Sequence, residues 1–147
     1  MKVLAIASTG GHWIQLLRLK PAFEEHEVVF ASTKASFAAT VKGYVFHAVP
    51  EANRWNKRKL ITAFFKTWTL ISIVKPDVII TTGAAPGLMA IVIGRLRSIT
   101  TIWVDSIANA DELSMSGKLA TYFSDRVYTQ WGHLANDKIL FNGNVIA

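Results

Sequence analysis

Residues 2–17 read KVLAIASTGGHWIQLL, and this stretch decides the fold class. Residues 2–7 form a continuous apolar run, which is typical of a strand covered on both faces of a parallel sheet. The glycine pair at 10–11 marks a turn, and apolar residues then recur at helical spacing. A buried strand, a glycine turn and a helix in succession predict the first βα unit of an α/β protein, with the turn at the carboxyl edge of the sheet.

The rest of the chain repeats this alternation of strand-like and helix-like segments. Strands separated by helices of this length indicate right-handed βαβ units, and therefore a Rossmann-like doubly wound parallel sheet with helices on both faces. The further strands are predicted at residues 27–31, 44–49, 77–82, 99–105 and 125–130, with a short last one within 138–147. The helices are predicted at residues 12–23, 36–42, 57–74, 85–97 and 115–124.

The composition bounds the class of protein. A length of 147 residues suits one domain, and 51% hydrophobic with 18% charged residues excludes a disordered chain. The formal net charge of +6 favours a polyanionic partner, which could be nucleic acid, an anionic membrane or a phosphorylated substrate. The absence of cysteine excludes disulfides, thiolate metal sites and cysteine nucleophiles.

Targeting and metal signals are weak. The apolar start runs into a glycine turn instead of a cleavage site, so we expect no export signal. The greasiest segment, residues 60–74, contains a lysine and is shorter than the roughly 20 apolar residues that span a bilayer. Three of the histidines, His26, His47 and His133, lack a metal-ligand spacing, and we expect neither a metal nor a cofactor.

The first loop comprises Ser8, Thr9, Gly10, Gly11 and His12. Free amides at a helix start and two glycines would let the backbone approach a phosphate or a sugar closely. The loop lacks G-x-G-x-x-G and the glycine-lysine-serine/threonine of a P-loop, which argues against a nicotinamide or triphosphate site. A histidine there could orient a hydroxyl or act as a base. A tight turn with a helix cap is the alternative interpretation.

Two further loops follow strands at the same predicted edge. In TTGAAPG, residues 81–87, Thr82 offers a hydroxyl, Gly83 permits a positive φ, and Pro86 suits a first helical turn. This stretch is also what an ordinary strand-to-helix turn requires. Asp105, followed by Ser106, ends the fifth predicted strand, where a carboxylate could act as a general base or simply be a solvated loop residue.

The start of the helix at 57–74 is basic and aromatic. The polar stripe of this helix is narrow, which leaves an apolar face wider than packing on one sheet requires. Basic residues with tryptophan at the boundary are typical of a helix at a membrane interface. The alternative is an ordinary crossover helix with a solvated basic start. The predicted membrane-binding residues are Arg54, Trp55, Lys57, Arg58 and Lys59.

Three segments in order, STGGHWIQLL, PDVIITTGAAPGLMAIVIGRL and IWVDSIANADELSMSGKLATYFSDRVYTQWGHLA, resemble a known family across nearly the whole chain. It is the family of the membrane-anchoring subunit of the dolichol-pathway N-acetylglucosaminyltransferase. The chain looks most similar to bacterial members in capsule and exopolysaccharide synthesis. Eukaryotic members of the family carry glutamate-serine where this chain has Asp105 and Ser106. They also carry an N-terminal hydrophobic anchor that we do not find in this sequence.

The resemblance implies an architecture and a division of labour. It implies that residues 1–147 are a single acceptor-binding half-domain, similar to the N-terminal half of a GT-B glycosyltransferase. It implies a separate donor-binding subunit and a polyprenyl-diphosphate-linked sugar acceptor. Nucleic acid is not expected as a partner, because the sequence has no helix-turn-helix, RNP or zinc signature. By this resemblance the acceptor site is lined by Gly10, Gly11 and His12, with a second wall formed by Gly83, Ala84 and Pro86.

The combined hypothesis is an acceptor-binding, membrane-associating subunit of a two-component glycosyltransferase, active only with its partner, on the cytoplasmic face of a bacterial membrane. His12 or Asp105 would help to deprotonate the attacking hydroxyl. Two alternatives stay open: a non-catalytic scaffold that recruits and activates the partner, and a soluble nucleotide-binding enzyme acting alone. The predicted substrate-binding residues are Ser8, Thr9, Gly10, Gly11, Thr82, Gly83, Ala84, Pro86 and Ser106.

Overall fold

The computed structural model describes residues 1–52 and 55–146 of the chain. They form one seven-stranded sheet in which each strand pairing is parallel. The strands are β1 (Lys2–Ala7), β2 (Glu27–Ser32), β3 (Val45–Ala48), β4 (Val78–Gly83), β5 (Thr100–Val104), β6 (Arg126–Tyr128) and β7 (Ile139–Leu140). Their order across the sheet is β3-β2-β1-β4-β5-β6-β7, which confirms the predicted Rossmann-like doubly wound sheet.

Helices connect the strands on both faces of the sheet. The helix Lys57–Val74 has the bounds predicted from the sequence. Asn56 caps its first turn by accepting from Lys59 N at 3.1 Å, and Lys75 ends it in the left-handed conformation. The α-helices of the described residues are α1 (Gly11–Arg18), α2 (Lys57–Val74), α3 (Ala85–Leu96) and α4 (Met115–Phe123). Short 3-10 helices cover Lys20–Phe23, Ala35–Val41 and Gly132–Leu134.

The helix predicted over residues 12–23 was too long. The α-helix ends at Arg18 and is followed by the 3-10 helix Lys20–Phe23, which has Pro21 in its first turn. Proline has no N–H to donate to the carbonyl four residues earlier, and its ring clashes with that carbonyl, so the chain tightens into a different helix. The segment at 36–42, predicted as a helix, is likewise a 3-10 helix.

The core lies in two layers, one on each face of the sheet. Alternate residues of β1 point to opposite faces, so that Ala5 packs in the cluster of Trp13 from α1. Ile6, its neighbour, packs with Ile71 of α2 and Ile93 of α3 on the other face. Burying a side chain such as Ile71 contributes about 1.5–3 kcal/mol, so these helices hold the sheet edge that carries the loops in one fixed arrangement.

The order of the strands reverses between β1 and β4. The chain leaves β1 into α1 on one face and leaves β4 into α3 on the other, which opens a crevice at the carboxyl ends of these central strands. The two loops meet there, because Ser8 N donates to the carbonyl oxygen of Gly83 at 2.9 Å. Ligands of doubly wound sheets bind in such a crevice, and the candidate site is built on it.

Candidate functional site

His12 and Thr82 join the two central loops by a reciprocal pair of hydrogen bonds. The Nδ1 atom of His12 lies 2.8 Å from the carbonyl oxygen of Thr82, and the Thr82 hydroxyl donates to the carbonyl oxygen of His12 at 2.6 Å. Because a carbonyl oxygen only accepts, Nδ1 must carry the hydrogen. In the neutral ring, Nε2 is then the nitrogen with a free lone pair, which is the atom that can accept a proton from a bound hydroxyl.

Gly83 fits against the His12 ring because it has no side chain. A Cβ at this position would lie 2.9 Å from both Cε1 and Nδ1 of His12, closer than real contacts allow. Its φ is +116°, a region that residues with a side chain rarely adopt. The glycine predicted for a positive φ therefore also provides the space in which the imidazole is held.

The helices that begin at the crevice differ from the others in their capping. Neither α1, preceded by Gly10, nor α3, preceded by Ala84, has a side-chain cap in the described chain. By contrast, α2 is capped by Asn56 and α4 by Ser114, whose hydroxyl accepts from Gly117 N at 2.9 Å. First-turn amides without a side-chain partner can bind an anion, and the helix dipole adds to the attraction.

Asp105 is a buried hub and not a solvated loop residue. Its side chain is 2% exposed, and its carboxylate accepts four hydrogen bonds. The donors are Trp103 Nε1 at 2.9 Å, the Ser114 hydroxyl at 2.6 Å, Ser114 N at 2.9 Å and Asn109 Nδ2 at 3.2 Å. These bonds tie the end of β5 to the first turn of α4, so that the carboxylate fixes the loop between them.

Gln15 connects this hub to α1. Its Nε2 donates to the carbonyl oxygen of Asp105 at 2.8 Å, and its Oε1 accepts from Ile107 N at 3.0 Å. Gln15 is only 3% exposed, although it stands in an otherwise apolar helix face. Gln15 was not predicted from the sequence, although a single polar residue within an apolar helix stripe could have indicated its role.

A surface ion pair closes the same loop. Lys118 donates to Glu112 at 2.6 Å, and this hydrogen bond, together with the charge of the ammonium, lowers the pKa of the Glu112 carboxyl below its usual value. The stabilisation is present above the unfolded-state pKa of the carboxyl and is lost as the pH falls through the folded-state pKa. Both side chains are exposed, so the pair contributes little to stability.

A cleft of about 1120 Å³ opens beside the two central loops. Ser8, Thr9 and Thr33 line its end nearest the sheet, and the walls are apolar side chains of three helices. Those wall residues are Leu60, Ile61, Phe64 and Phe65 of α2, Leu88, Met89 and Val92 of α3, and Met115 and Leu119 of α4. Ser8 and Thr9 at the polar end were predicted from the sequence, but the wall residues were not.

Four of the nine predicted substrate-binding residues line the cleft, and the other five lie elsewhere. Ser8, Thr9, Ala84 and Pro86 line the cleft, and the Ser8 hydroxyl also accepts from Ala84 N at 3.3 Å. Ser106 is outside the described lining, and its hydroxyl accepts from Ala108 N at 3.2 Å. The others hold the loops or remain open to solvent: Thr82 and Gly83 are buried beside His12, whereas Gly10 and Gly11 are exposed at the start of α1.

The basic aromatic segment contributes Trp55 to this cleft. Trp55 lines the cleft and is 80% exposed, and Lys57, Arg58 and Lys59 are exposed in the first turn of α2. Arg54, predicted with them, is outside the described residues. The apolar face of α2 is wider than its packing on the sheet requires, since several large side chains remain exposed. They are Ile61, Phe65, Trp68 and Ile73.

Residues 1–52 and 55–146 contain neither a candidate membrane-spanning helix nor a candidate metal site. No helix in these ranges combines the length and the apolar character that crossing a bilayer requires. Within the same ranges, no cluster of three or more His, Asp or Glu side chains could hold a metal ion.

Comparisons with known proteins point to one family. The family described as "Oligosaccharide biosynthesis protein Alg14 like" matches residues 48–143. The chain is 25% identical to the human UDP-N-acetylglucosamine transferase subunit ALG14, in an alignment of 182 positions that covers 99% of this chain and 83% of the relative. It is 26% identical over 162 residues to the corresponding subunit of Schizosaccharomyces pombe, with 90% of this chain and 77% of that protein covered.

Solved structures share the fold at low sequence identity. MurG of Acinetobacter baumannii superposes with a TM-score of 0.79 at 13% identity over 96% of this chain. UDP-N-acetylglucosamine 2-epimerase of Rickettsia bellii superposes with a TM-score of 0.73 at 17% identity over 99% of it. The chain spans 45% of the length of each of these two proteins. These matches confirm the predicted fold class, a Rossmann-like half of the GT-B type.

Proposed function

The chain belongs to the Alg14-like family of oligosaccharide biosynthesis proteins, and from that premise we propose that it is the acceptor-binding, membrane-associating subunit of a two-component glycosyltransferase. The relatives named above are subunits of a UDP-N-acetylglucosamine transferase, which supports the same kind of partnership here. Residues 1–147 then act as one half-domain, and a separate chain supplies the activated sugar. The acceptor is a sugar linked to a polyprenyl diphosphate.

The observation that carries this proposal is the pair of helix starts at the strand-order reversal. The first-turn amides of α1 and α3 have no side-chain cap in the described chain, whereas α2 and α4 are capped. The His12–Thr82 hydrogen bonds hold these two helix starts together. A diphosphate suits this arrangement, because two neighbouring helix starts, each with a positive dipole end, favour a doubly charged anion.

In the proposed reaction, His12 is the general base. Nε2 accepts the proton of the acceptor hydroxyl while that oxygen attacks the anomeric carbon of the nucleotide sugar, and the nucleotide diphosphate leaves with the bonding electrons. The carbonyl of Thr82 orients the ring and stabilises the imidazolium that forms. Asp105 has all its carboxylate lone pairs directed at protein donors, so we assign it a positioning role instead of the base role predicted from sequence.

Membrane association is assigned to the start of α2. Lys57, Arg58 and Lys59 face solvent together with Trp55, and each basic residue near an anionic surface contributes about 1 kcal/mol. A peripheral position on the cytoplasmic face of a bacterial membrane, in capsule or exopolysaccharide synthesis, is the setting that we propose for this subunit.

Equilibrium dialysis of each separated chain tests this division of labour. We expect the present chain to bind a polyprenyl-diphosphate-linked sugar and not a nucleotide sugar, and we expect the partner chain to show the opposite preference. Binding of a nucleotide sugar to the present chain alone would favour a self-sufficient soluble enzyme and would contradict the proposal.

A further inference from the structure

The cleft between α2 and α4 has a polar end and a long apolar body. Ser8 and Thr9 line it where it meets the first loop, and Ala84 and Ala85 line it at the start of α3. From there the lining continues over Leu88, Met89 and Val92 of α3 as the floor. A ligand in this cleft would therefore have its polar group at the loops and an apolar portion along the helices.

Both walls of the cleft expose large apolar side chains. Phe65 of α2 is 63% exposed and Ile61 is 56% exposed, and Leu119 on the α4 side is 45% exposed. Exposing such side chains on two facing helices costs free energy that an apolar occupant would recover. The cleft volume, about 1120 Å³, is slightly above the range of about 300–1,000 Å³ that is typical of small-molecule sites.

We propose that this cleft binds the isoprenoid chain of the lipid-linked acceptor, at the units adjacent to the diphosphate. A hydrocarbon chain has no polar groups to satisfy, which matches helix walls whose side chains offer few donors or acceptors. The cleft reaches Ser8 and Thr9 of the first loop and Ala84 and Ala85 at the start of α3, which would put the diphosphate at this end. Trp55 also lines the cleft, and the exposed Lys57, Arg58 and Lys59 follow it in sequence, on the side of the anionic bilayer in this proposal. This inference rests on the proposed acceptor function.

The test uses farnesyl diphosphate, a short soluble isoprenoid diphosphate, below the concentration at which it forms micelles. Binding to the full chain is measured by titration calorimetry and compared with inorganic pyrophosphate and farnesol. Phe65→Asp places a carboxylate on the cleft wall, and Ile73→Asp makes the same change at a position of α2 that is 68% exposed and outside the described lining. Both variants change exposed side chains, and thermal unfolding checks that they fold.

We expect farnesyl diphosphate to bind more tightly than pyrophosphate, and Phe65→Asp to weaken it at least about tenfold while Ile73→Asp leaves it unchanged. The carboxylate introduced by Phe65→Asp would lose its hydration when the isoprenoid chain binds, and this cost weakens the binding of farnesyl diphosphate. Equal binding of farnesyl diphosphate and pyrophosphate, with no effect of Phe65→Asp, would overturn the tail site and leave the diphosphate site standing.

Three other outcomes are informative. If farnesol binds as tightly as farnesyl diphosphate and Phe65→Asp weakens both, the tail site stands and the proposed diphosphate site fails. If none of the ligands binds, both proposals fail. If the Phe65→Asp variant binds farnesyl diphosphate normally but no longer co-purifies with the donor-binding chain, the cleft is a protein interface and the tail proposal is overturned.

Discussion

The imidazole of His12 is fixed by the carbonyl oxygen of Thr82, 2.8 Å from Nδ1, so that Nε2 is the nitrogen left to accept a proton. The same two residues bond in the opposite direction through the Thr82 hydroxyl. The geometry couples the orientation of the proposed base to the join between the two central loops. Changes to the ring and changes to its support should therefore have separable effects.

Replacing the ring tests its chemical role. We expect His12→Ala, in the complex with the donor-binding chain, to lower kcat for sugar transfer about 100-fold or more with little change in the KM for acceptor, because a general base acts only in the transition state. Initial rates measure this, with His26→Ala, on the loop before β2 at the opposite edge of the sheet, as the control. Full activity of the His12→Ala complex with intact partner binding would favour a non-catalytic scaffold.

Gly83 tests the support of the ring. Gly83→Ala would place a Cβ 2.9 Å from two atoms of His12 and would also strain a positive φ, whereas Gly43→Ala strains a φ of +88° with nothing within 4 Å. We expect both variants to lose about 1–2 kcal/mol in urea unfolding through backbone strain. Only Gly83→Ala should lose activity in the complex, and equal activity of the two variants would argue against a need for the observed ring position.

Asp105 tests positioning against catalysis. We expect Asp105→Ala to reduce the free energy of unfolding by about 3 kcal/mol, because the buried Trp103 Nε1 and the partly buried Ser114 N both lose their acceptor. Asp111→Ala, in the same loop but exposed, is the control in chemical denaturation. A variant at 105 with unchanged stability and an activity loss of about 100-fold would instead identify the carboxylate as a base.

The basic start of α2 tests the membrane surface. Changing Lys57, Arg58 and Lys59 together to alanine should weaken binding to vesicles containing anionic phosphatidylglycerol by about 3 kcal/mol, roughly a hundredfold, at low salt. Vesicle sedimentation measures this. A triple variant of exposed Lys34, Lys42 and Lys138 removes the same charge elsewhere. An equal loss in both triple variants would mean that net charge, and not this helix start, controls binding.

Elements governed by local chemistry could be predicted from the sequence. The bounds of α2 agree with the prediction because a cap before Lys57 and a proline at 76 stop the helix from growing at either end. The helix predicted at 12–23 failed where a 3-10 helix competed with it, since spacing of apolar residues does not separate the two. The parallel, doubly wound sheet could be predicted from the alternation of strands and helices, but the order of its strands, including the pairing of β1 with β4, could be read only from the structure.

The site could be predicted only in part. Its loops are sequence signals, so Ser8, Thr9 and His12 were identifiable, whereas the bond between His12 and Thr82 joins residues 70 positions apart. Asp105 was predicted at the carboxyl end of a strand, yet its burial depends on Ser114 and Gln15 from other elements. The apolar cleft arises from how three helices pack together, which no single segment reveals.

Whether this chain is half of an enzyme can be tested by the rate of sugar transfer to a polyprenyl-diphosphate-linked acceptor by separated and recombined chains. We measure initial rates for this chain alone, for the donor-binding chain alone and for their equimolar mixture, each with nucleotide sugar in detergent micelles. We expect transfer by the mixture and none by this chain alone. Turnover by the purified chain without a partner would contradict the claim that it is half of an enzyme.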